Sequence, residues 1–311
     1  MGHPDEPLIL LSRITFDYGS GPVLEGVGIG VAAGEIYGLL GADGAGKSTL
    51  LRIAVGQLQP QAGEARVLGR PVTAPGLAPG LAYMPQGFGL YPDLSVEENL
   101  AFFADLHGLA ADVAATRIRD LLQRTGMQRF GRRRAGRLSG GMMQKLALAC
   151  ALVSEPRAMF LDEPTTGVDP VSRRAFWQLL NGVRAEGVAI LYATANLDEA
   201  ERCDRVGLLE GGRIRRQGTP DQLARVEGRR LFTVTGPGVR QALAALRRLP
   251  GVEWVFPRGR AAVLWLRDGS GTEAVRHRLQ RIAPALRLRE TVPGLQETVL
   301  WELAQRSRDG S

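Results

Sequence analysis

Apolar and polar residues alternate from Leu8 to Tyr37, with Gly/Ser/Pro turns at 19–22 and 32–34. That pattern predicts short strands with one buried face, paired as a small antiparallel sheet. Ile36 to Leu40 is a short, nearly continuous apolar run, read as a buried strand feeding a glycine-rich loop at Gly41. Helical character follows from Ser48 to Leu58, and a Pro/Gly-rich connector covers Thr73 to Gly80. Beyond Pro92 the pattern is helical to about Cys150, and Ser95 and Glu98 have the spacing of a capping box. Ala158 to Leu161 and Val188 to Tyr192 are two more buried strands, on either side of a helical Ser172 to Arg184. Strands alternating with helices predict a parallel α/β core.

The pattern changes around Glu227 to Arg230. A strand over Leu231 to Thr235 leads to a helix over Val239 to Leu249. A hairpin of Val252 to Phe256 with Ala261 to Leu266, a helix near Thr272 to Ile282, and a last strand and helix follow. This order predicts a small ferredoxin-like α+β appendix. The expected organisation is an α/β domain over 8–228, with a helical subdomain over about 94–150, and an accessory domain over 229–311.

Three segments carry chemistry. Gly41-Ala42-Asp43-Gly44-Ala45-Gly46-Lys47-Ser48 fits G-x-x-x-x-G-K-[ST], and Thr49 continues it into the predicted helix. Glycines let successive backbone N–H groups curl around phosphate oxygens, and the helix N-terminus adds positive dipole. Lys47 supplies a point charge for the β- and γ-phosphates, and the Ser48 hydroxyl can ligate Mg²⁺. The apolar strand Ala158 to Leu161 ends in Asp162 and Glu163, at the strand edge where ligands bind in parallel sheets. Asp162 can hold Mg²⁺ through water, and Glu163 can polarise an attacking water as general base. In Leu138-Ser139-Gly140-Gly141-Met142, Ser139 is a good N-cap and the glycines leave N–H groups open to an anion.

Composition narrows the picture. A chain of 311 residues, 44% hydrophobic and 23% charged, is long enough for one large domain or two ordinary ones. Its longest apolar stretches, such as Leu146 to Val153, run to about eight residues, against the roughly twenty a membrane-spanning helix needs. The opening MGHPDEPLIL shows no basic segment followed by an apolar one, so a cytosolic chain is expected, with any membrane role requiring a partner. The net charge is +7, but all but two of the 39 basic residues are arginine, spread through every segment. A biased genome composition explains this more simply than a nucleic-acid surface. Cys150 and Cys203 form no disulfide framework, and His3, His107 and His277 suggest no metal site.

These segments together resemble the ABC ATPase family over about residues 8–225. GADGAGKST looks like its Walker A, MFLDEP like Walker B, LSGGM like the signature, Gln86 like the Q-loop glutamine and Asp169 like the D-loop aspartate. The resemblance implies a P-loop NTPase (RecA-like) cassette of the α/β class, with an antiparallel β subdomain and a helical subdomain. It also implies ATP and Mg²⁺ as cofactors, with Ser48, Gln86 and Asp162 around the metal. Lys47, Glu163 and Gln86 are then the catalytic set. Residues Gly41, Ala42, Asp43, Gly44, Ala45, Gly46, Lys47, Ser48 and Thr49 hold the phosphates. Tyr18 is placed like the aromatic that stacks on adenine, although a sheet-core tyrosine reads equally well from the residues alone. A second cassette, identical or not, is implied, its ATP clamped in trans by Ser139, Gly140 and Gly141. A separate membrane permease is implied as well, docking near Phe88, Leu90 and Tyr91. Those three residues read equally well as local core. The stretch Tyr83 to Leu100 and the C-terminal extension look most like bacterial cassettes exporting drugs, antibiotics or polysaccharides. That places the chain at the inner face of the cell membrane. Cassettes acting on ribosomes or DNA are implied to carry two P-loops or a long coiled coil. This chain has one P-loop and no sustained heptads, so nucleic acid is not an expected partner.

One position departs from the family pattern. The resemblance implies a histidine after the strand that follows the D-loop, bridging the γ-phosphate and the catalytic carboxylate. Here the run is Ala193-Thr194-Ala195-Asn196-Leu197-Asp198-Glu199-Ala200, with Ala195 in its place. Two readings follow. Asn196 or another group substitutes and turnover is normal, or the site is slow and this cassette supports a more active partner.

Overall fold

Ile9, Leu11, Ile14 and Phe16 point into the core from β1 (Ile9–Asp17), and a bulge absorbs the odd spacing between Leu11 and Ile14. Arg13 sits in that bulge at φ +51°. β1 pairs antiparallel with β2 (Pro22–Val31). The fully buried β3 (Ile36–Leu40) then leads through the glycine loop to α1 (Lys47–Ala54). This helix stops short of Leu58, because the chain turns at Gly56 with φ +80°. β4 (Ala62–Val67) adds antiparallel to the other side of β1, and the short β5 (Arg70–Pro71) extends it. A Cβ on Gly63 would stand 2.3 Å from the Arg13 carbonyl oxygen, so the bulge and the glycine require each other. The computed structural model describes residues 6–72, 79–269 and 271–309; apart from Pro79 and Gly80, the connector expected over 73–80 lies outside the described residues.

After β6 (Leu81–Met84), the helical region is three helices, α2 (Val96–Leu106), α3 (Ala111–Thr125) and α4 (Gly140–Leu152). Gly108 and Gly126 take left-handed φ after α2 and α3 and divide what the pattern suggested was nearly continuous helix. Ser95 and Glu98 make the expected capping box at the start of α2. The helices share their own core, built on Val96, Leu100, Leu121, Leu122, Leu146 and Val153. Four more elements follow: β7 (Ala158–Asp162), α5 (Pro170–Ala185), β8 (Ala189–Thr194) and the one-turn α6 (Leu197–Ala200). The antiparallel pair β9 (Arg205–Glu210) and β10 (Arg213–Gly218) closes this part of the chain.

The six-stranded sheet has the order β10-β9-β3-β8-β7-β6, parallel from β9 to β6. Its inner strands β3, β7 and β8 are wholly buried. Apolar residues from this sheet, from α1 and from the β1-β2-β4 sheet form one core. The C-terminal ends of β3, β7 and β8 lie side by side at one edge, where α/β sheets place their ligands.

The chain divides into two compact units, 1–218 and 219–311. The second begins with α7 (Pro220–Ala224), followed by β11 (Arg229–Thr235), α8 (Leu243–Leu246), β12 (Val252–Arg258) and β13 (Ala261–Arg267). It ends with α9 (Thr272–Ile282), β14 (Arg287–Thr291) and α10 (Leu295–Asp309). The antiparallel order β12-β13-β11-β14 is the ferredoxin-like one. Only α8 of the helix expected over 239–249 forms, because the chain enters through positive-φ turns at Gly236 and Gly238. Val239, Leu246 and Leu249 still reach the core.

Candidate functional site

The loop between β3 and α1 is shaped by its glycines. Gly44 and Gly46 hold φ of +78° and +103°. A Cβ on Gly46 would meet Leu24 Cδ2 at 2.9 Å, and one on Gly41 would meet the Leu209 carbonyl oxygen at 2.7 Å. Gly46 gives α1 no side-chain cap, so the first helical N–H groups are left for a ligand rather than a neighbour. Ala42, Asp43 and Gly44 are exposed at the loop tip, with Ala45 half-buried below them.

Lys47 lies at the floor of this loop, 4% exposed. Its ammonium donates to the carbonyls of Gly41 (2.9 Å) and Ala42 (3.1 Å) and pairs with Glu163 Oε1 at 2.9 Å. Three cation contacts converge there, where phosphate charge would be received. Glu163 follows β7 with φ +48°, a rare region for a residue with a Cβ. Its N–H bonds to the Ala193 carbonyl of β8 at 3.0 Å, and Thr166 donates to its Oε2. On β8, the Thr194 carbonyl receives the Gly41 N–H at 3.2 Å. The end of β8 therefore touches both the phosphate loop and the residue after β7.

Asp162 is 2% exposed, and its Oδ1 has no hydrogen-bond partner. Burial pushes its carboxyl above the usual range, opposed by the Ser48 hydroxyl beside it and by Lys47 and Arg52. An orphaned buried carboxylate oxygen next to a hydroxyl is an oxygen donor set suited to Mg²⁺. Tyr83 and Arg52 stand beside the same carboxylate, and burial raises the Tyr83 phenol, leaving it a donor. Gln86 is exposed on the loop after β6 and, among the described residues, makes no hydrogen bond to Ser48, Asp162 or Glu163.

Tyr18 is 55% exposed, so it is not a core tyrosine. Its ring edges against Phe16 at 4.8 Å, and its hydroxyl lies 3.3 Å from Thr49 Oγ1, which fixes an open aromatic face near the start of α1. Ser139 caps α4 by accepting from the Met142 N–H. Gly140 is open to solvent, whereas Gly141 is pressed against Ser172 of α5. Among the described residues, none of Ser139, Gly140 and Gly141 hydrogen-bonds the phosphate loop of its own chain. Asp169 caps α5, accepting from the Val171 and Ser172 N–H groups; the Ser172 hydroxyl first, and then these backbone bonds, lower its carboxyl.

Ala195 is exposed at the end of β8. Its neighbours are committed elsewhere: Thr194 Oγ1 bonds to Glu199, and Asn196 Oδ1 caps α6 through the Asp198 N–H. The motif reading missed Thr165, Thr166, Arg173, Tyr192 and Glu199, which surround Glu163 and the end of β8. No local pattern marks them, because their contacts cross between elements distant in the chain.

The comparisons agree with this geometry. The family model described as ABC transporter matches residues 24–166. The Nod factor export ATP-binding protein I of Rhizobium sp. (strain N33) is 35% identical over 294 residues, 93% of this chain and 95% of that protein. The probable multidrug ABC transporter ATP-binding protein YbhF of Escherichia coli (strain K12) is 40% identical over 274 residues, 87% of this chain; the match spans only about half, 47%, of that relative. Two solved structures share the fold. One is an ATP-binding subunit of an ABC transporter, with TM-score 0.64 and 33% identity over 70% of this chain and 92% of that one. The other is cbiO1 from Clostridium perfringens, part of the complex cbiONQ, with TM-score 0.65 and 27% identity over 79% and 97%. The chain belongs to the family of ABC transporter ATP-binding proteins.

Proposed function

We propose that this chain binds Mg²⁺-ATP and hydrolyses it, as the nucleotide-binding subunit of an exporter whose membrane-spanning permease is a separate chain. The observation that carries the reading is the convergence of Lys47, Glu163 and Asp162 on one edge of the parallel sheet. The loop from Gly41 to Thr49 would hold the phosphates and Tyr18 would stack on adenine. Ser48 and Asp162 would hold Mg²⁺, which supplies charge neutralisation at the β- and γ-phosphates, with Gln86 joining them from its loop. Glu163 would take a proton from the attacking water, and its positive-φ backbone is bonded to the Ala193 carbonyl of β8.

Ser139, Gly140 and Gly141 would act on the nucleotide of a second cassette, since among the described residues they make no hydrogen bond to the phosphate loop of their own chain. Asp169 would lie at that junction. Of the three residues expected to dock the permease, Phe88 and Leu90 are half-buried, Leu90 against the helical core, whereas Tyr91 is open; the permease would dock on Tyr91 and its neighbour Phe102, 46% and 37% exposed with ring centroids 4.6 Å apart. Asn99 ties the Tyr91 backbone to α2, accepting the Tyr91 N–H and donating to the carbonyls of Tyr91, Leu94 and Ser95. Among the described residues no helix is long and apolar enough to cross a membrane, which fits a peripheral subunit on its inner face. The cargo would be a drug, an antibiotic or another small or lipidic molecule; of these, the relatives' names, one multidrug and one Nod factor export, support export and a drug-like cargo. Intact Lys47, Asp162 and Glu163 favour a hydrolysing cassette over one that only holds ATP, despite Ala195. The test is Mg²⁺-dependent phosphate release by the full chain. Activity that Glu163→Gln leaves untouched would count against the reading.

A further inference from the structure

Glu199 is a buried carboxylate that the motif chemistry does not use. It lies in α6, 3% exposed. Three hydroxyls donate to it: Thr194 at 2.7 Å, Tyr192 at 3.0 Å, and Thr165 in close contact. Arg173 Nε of α5 stands 3.4 Å from its Oε1. Thr165 and Tyr192 are also within 3.3 Å of one another, so the cluster is closed on itself. Burial pushes the Tyr192 phenol well above its ordinary range, which keeps it a donor. A carboxylate this deep persists only when its oxygens are satisfied, and here four groups converge on them.

The partners come from the two segments that build the catalytic edge. Thr165 is two residues after Glu163, and Thr166 beside it donates to the Glu163 carboxylate. Arg173 also donates to the Val168 carbonyl, next to Asp169. Tyr192 and Thr194 belong to the end of β8, whose backbone bonds both Gly41 and Glu163. We propose that Glu199 is a positioning residue for ATP hydrolysis, clamping the 163–169 loop to the end of β8 so that Glu163 is aimed at the phosphate loop. The inference rests on the hydrolytic reading above. With alanine at position 195, no polar side chain there adds a second constraint on this geometry.

The test compares the full-length chain with Glu199→Gln, Thr165→Val and Thr165→Ser, measuring kcat, KM for ATP and binding of a fluorescent ATP analogue. Glu199→Gln keeps the shape and removes the charge. Thr165→Val keeps the volume and removes one donor, and Thr165→Ser restores that donor. Misplacing a catalytic group by a fraction of an ångström to an ångström predicts a kcat loss of roughly 10- to 100-fold in Glu199→Gln and Thr165→Val. KM and analogue affinity should stay within about twofold, and Thr165→Ser should recover most of the rate. Rates unchanged in both variants, or losses that fall on ATP binding instead of kcat, overturn the positioning role alone. A wild-type rate no higher than that of Glu163→Gln overturns the hydrolytic reading, and this inference with it.

Discussion

Lys47 Nζ is 2.9 Å from Glu163 Oε1, with the two side chains 4% and 12% exposed, so the cation for the phosphates and the expected base neutralise each other. On the proposed reading, ATP would have to draw Lys47 away from Glu163. Replacing Glu163 by glutamine removes both that competition and the negative charge beside Lys47 at the phosphate loop. Glu163→Gln should therefore bind ATP more tightly than the native chain while kcat falls by about 10²- to 10⁴-fold, the usual worth of a general base. Equilibrium binding and single-turnover kinetics check the two effects separately. Weaker ATP binding in Glu163→Gln would contradict the pairing argument.

Asp162 offers one unpartnered buried oxygen beside Ser48. In Asp162→Asn the side chain keeps its shape but loses the charge that attracts a divalent cation. The Mg²⁺ concentration for half-maximal turnover should rise by roughly 10- to 100-fold, with a smaller rise for Ser48→Ala. Chelation should abolish turnover in the native chain. A Mg²⁺ titration curve that coincides with the native one in Asp162→Asn removes this carboxylate from the metal site.

The open ring of Tyr18 separates stacking from hydrogen bonding. If adenine lies on its face, Tyr18→Ala should raise KM for ATP by roughly 5- to 100-fold, equivalent to about 1–3 kcal/mol of stacking. Tyr18→Phe loses only the contact to Thr49 and should stay near native. Equal effects in the two variants would point to the hydroxyl instead of the ring.

A Cβ on Gly141 would come 2.1 Å from Ser172 Oγ and 2.3 Å from Ser172 Cβ, whereas one on Gly140 meets nothing within 4 Å. Overpacking of this kind costs about 1–3 kcal/mol, or several degrees in a domain of this size. Gly141→Ala should lower the melting temperature, Gly140→Ala should barely move it, and Gly141→Ala with Ser172→Gly should recover much of the loss. Thermal unfolding of the three variants decides this.

What could be read from the chain was what is contiguous in it. The phosphate loop, the strand ending in Asp162 and the Ser95–Glu98 box each lie within a few residues, and the structure forms all three. The buried strands β3, β7 and β8 stood out as apolar runs because both their faces are covered. The edge strands did not: β10 reads Arg-Ile-Arg-Arg-Gln-Gly, with half its residues exposed and no apolar face. β4 was hidden for the same reason, since only Ala65 and Val67 turn inward from it. The Glu199 cluster joins residues from Thr165 to Glu199 through the fold alone. In the sequence, Glu199 is one acid in an acidic run, and nothing marks it as buried.

Position 195 provides the sharpest test of how fast this site works. Ala195 is exposed at the tip of β8, beside the Thr194 carbonyl that holds Gly41 and two residues beyond the Ala193 carbonyl that holds Glu163. An imidazole there would stand near both the phosphate loop and the carboxylate without displacing a core residue. Thr194 is held by Glu199 and Asn196 caps α6, so neither offers its side chain in the same place. Ala195→His should raise kcat, by up to roughly 10²-fold if the added contact meets developing charge on the phosphate, and leave KM for ATP nearly unchanged. The gain should carry its own pH dependence, because an imidazole changes charge near pH 6.5 and alanine does not. The difference between the kcat–pH profiles of Ala195→His and the native chain, measured between pH 5.5 and 8.5, should therefore titrate near that value. A native chain that already turns over as fast as Ala195→His at every pH would mean that the Lys47, Asp162 and Glu163 constellation is complete without a polar side chain at position 195.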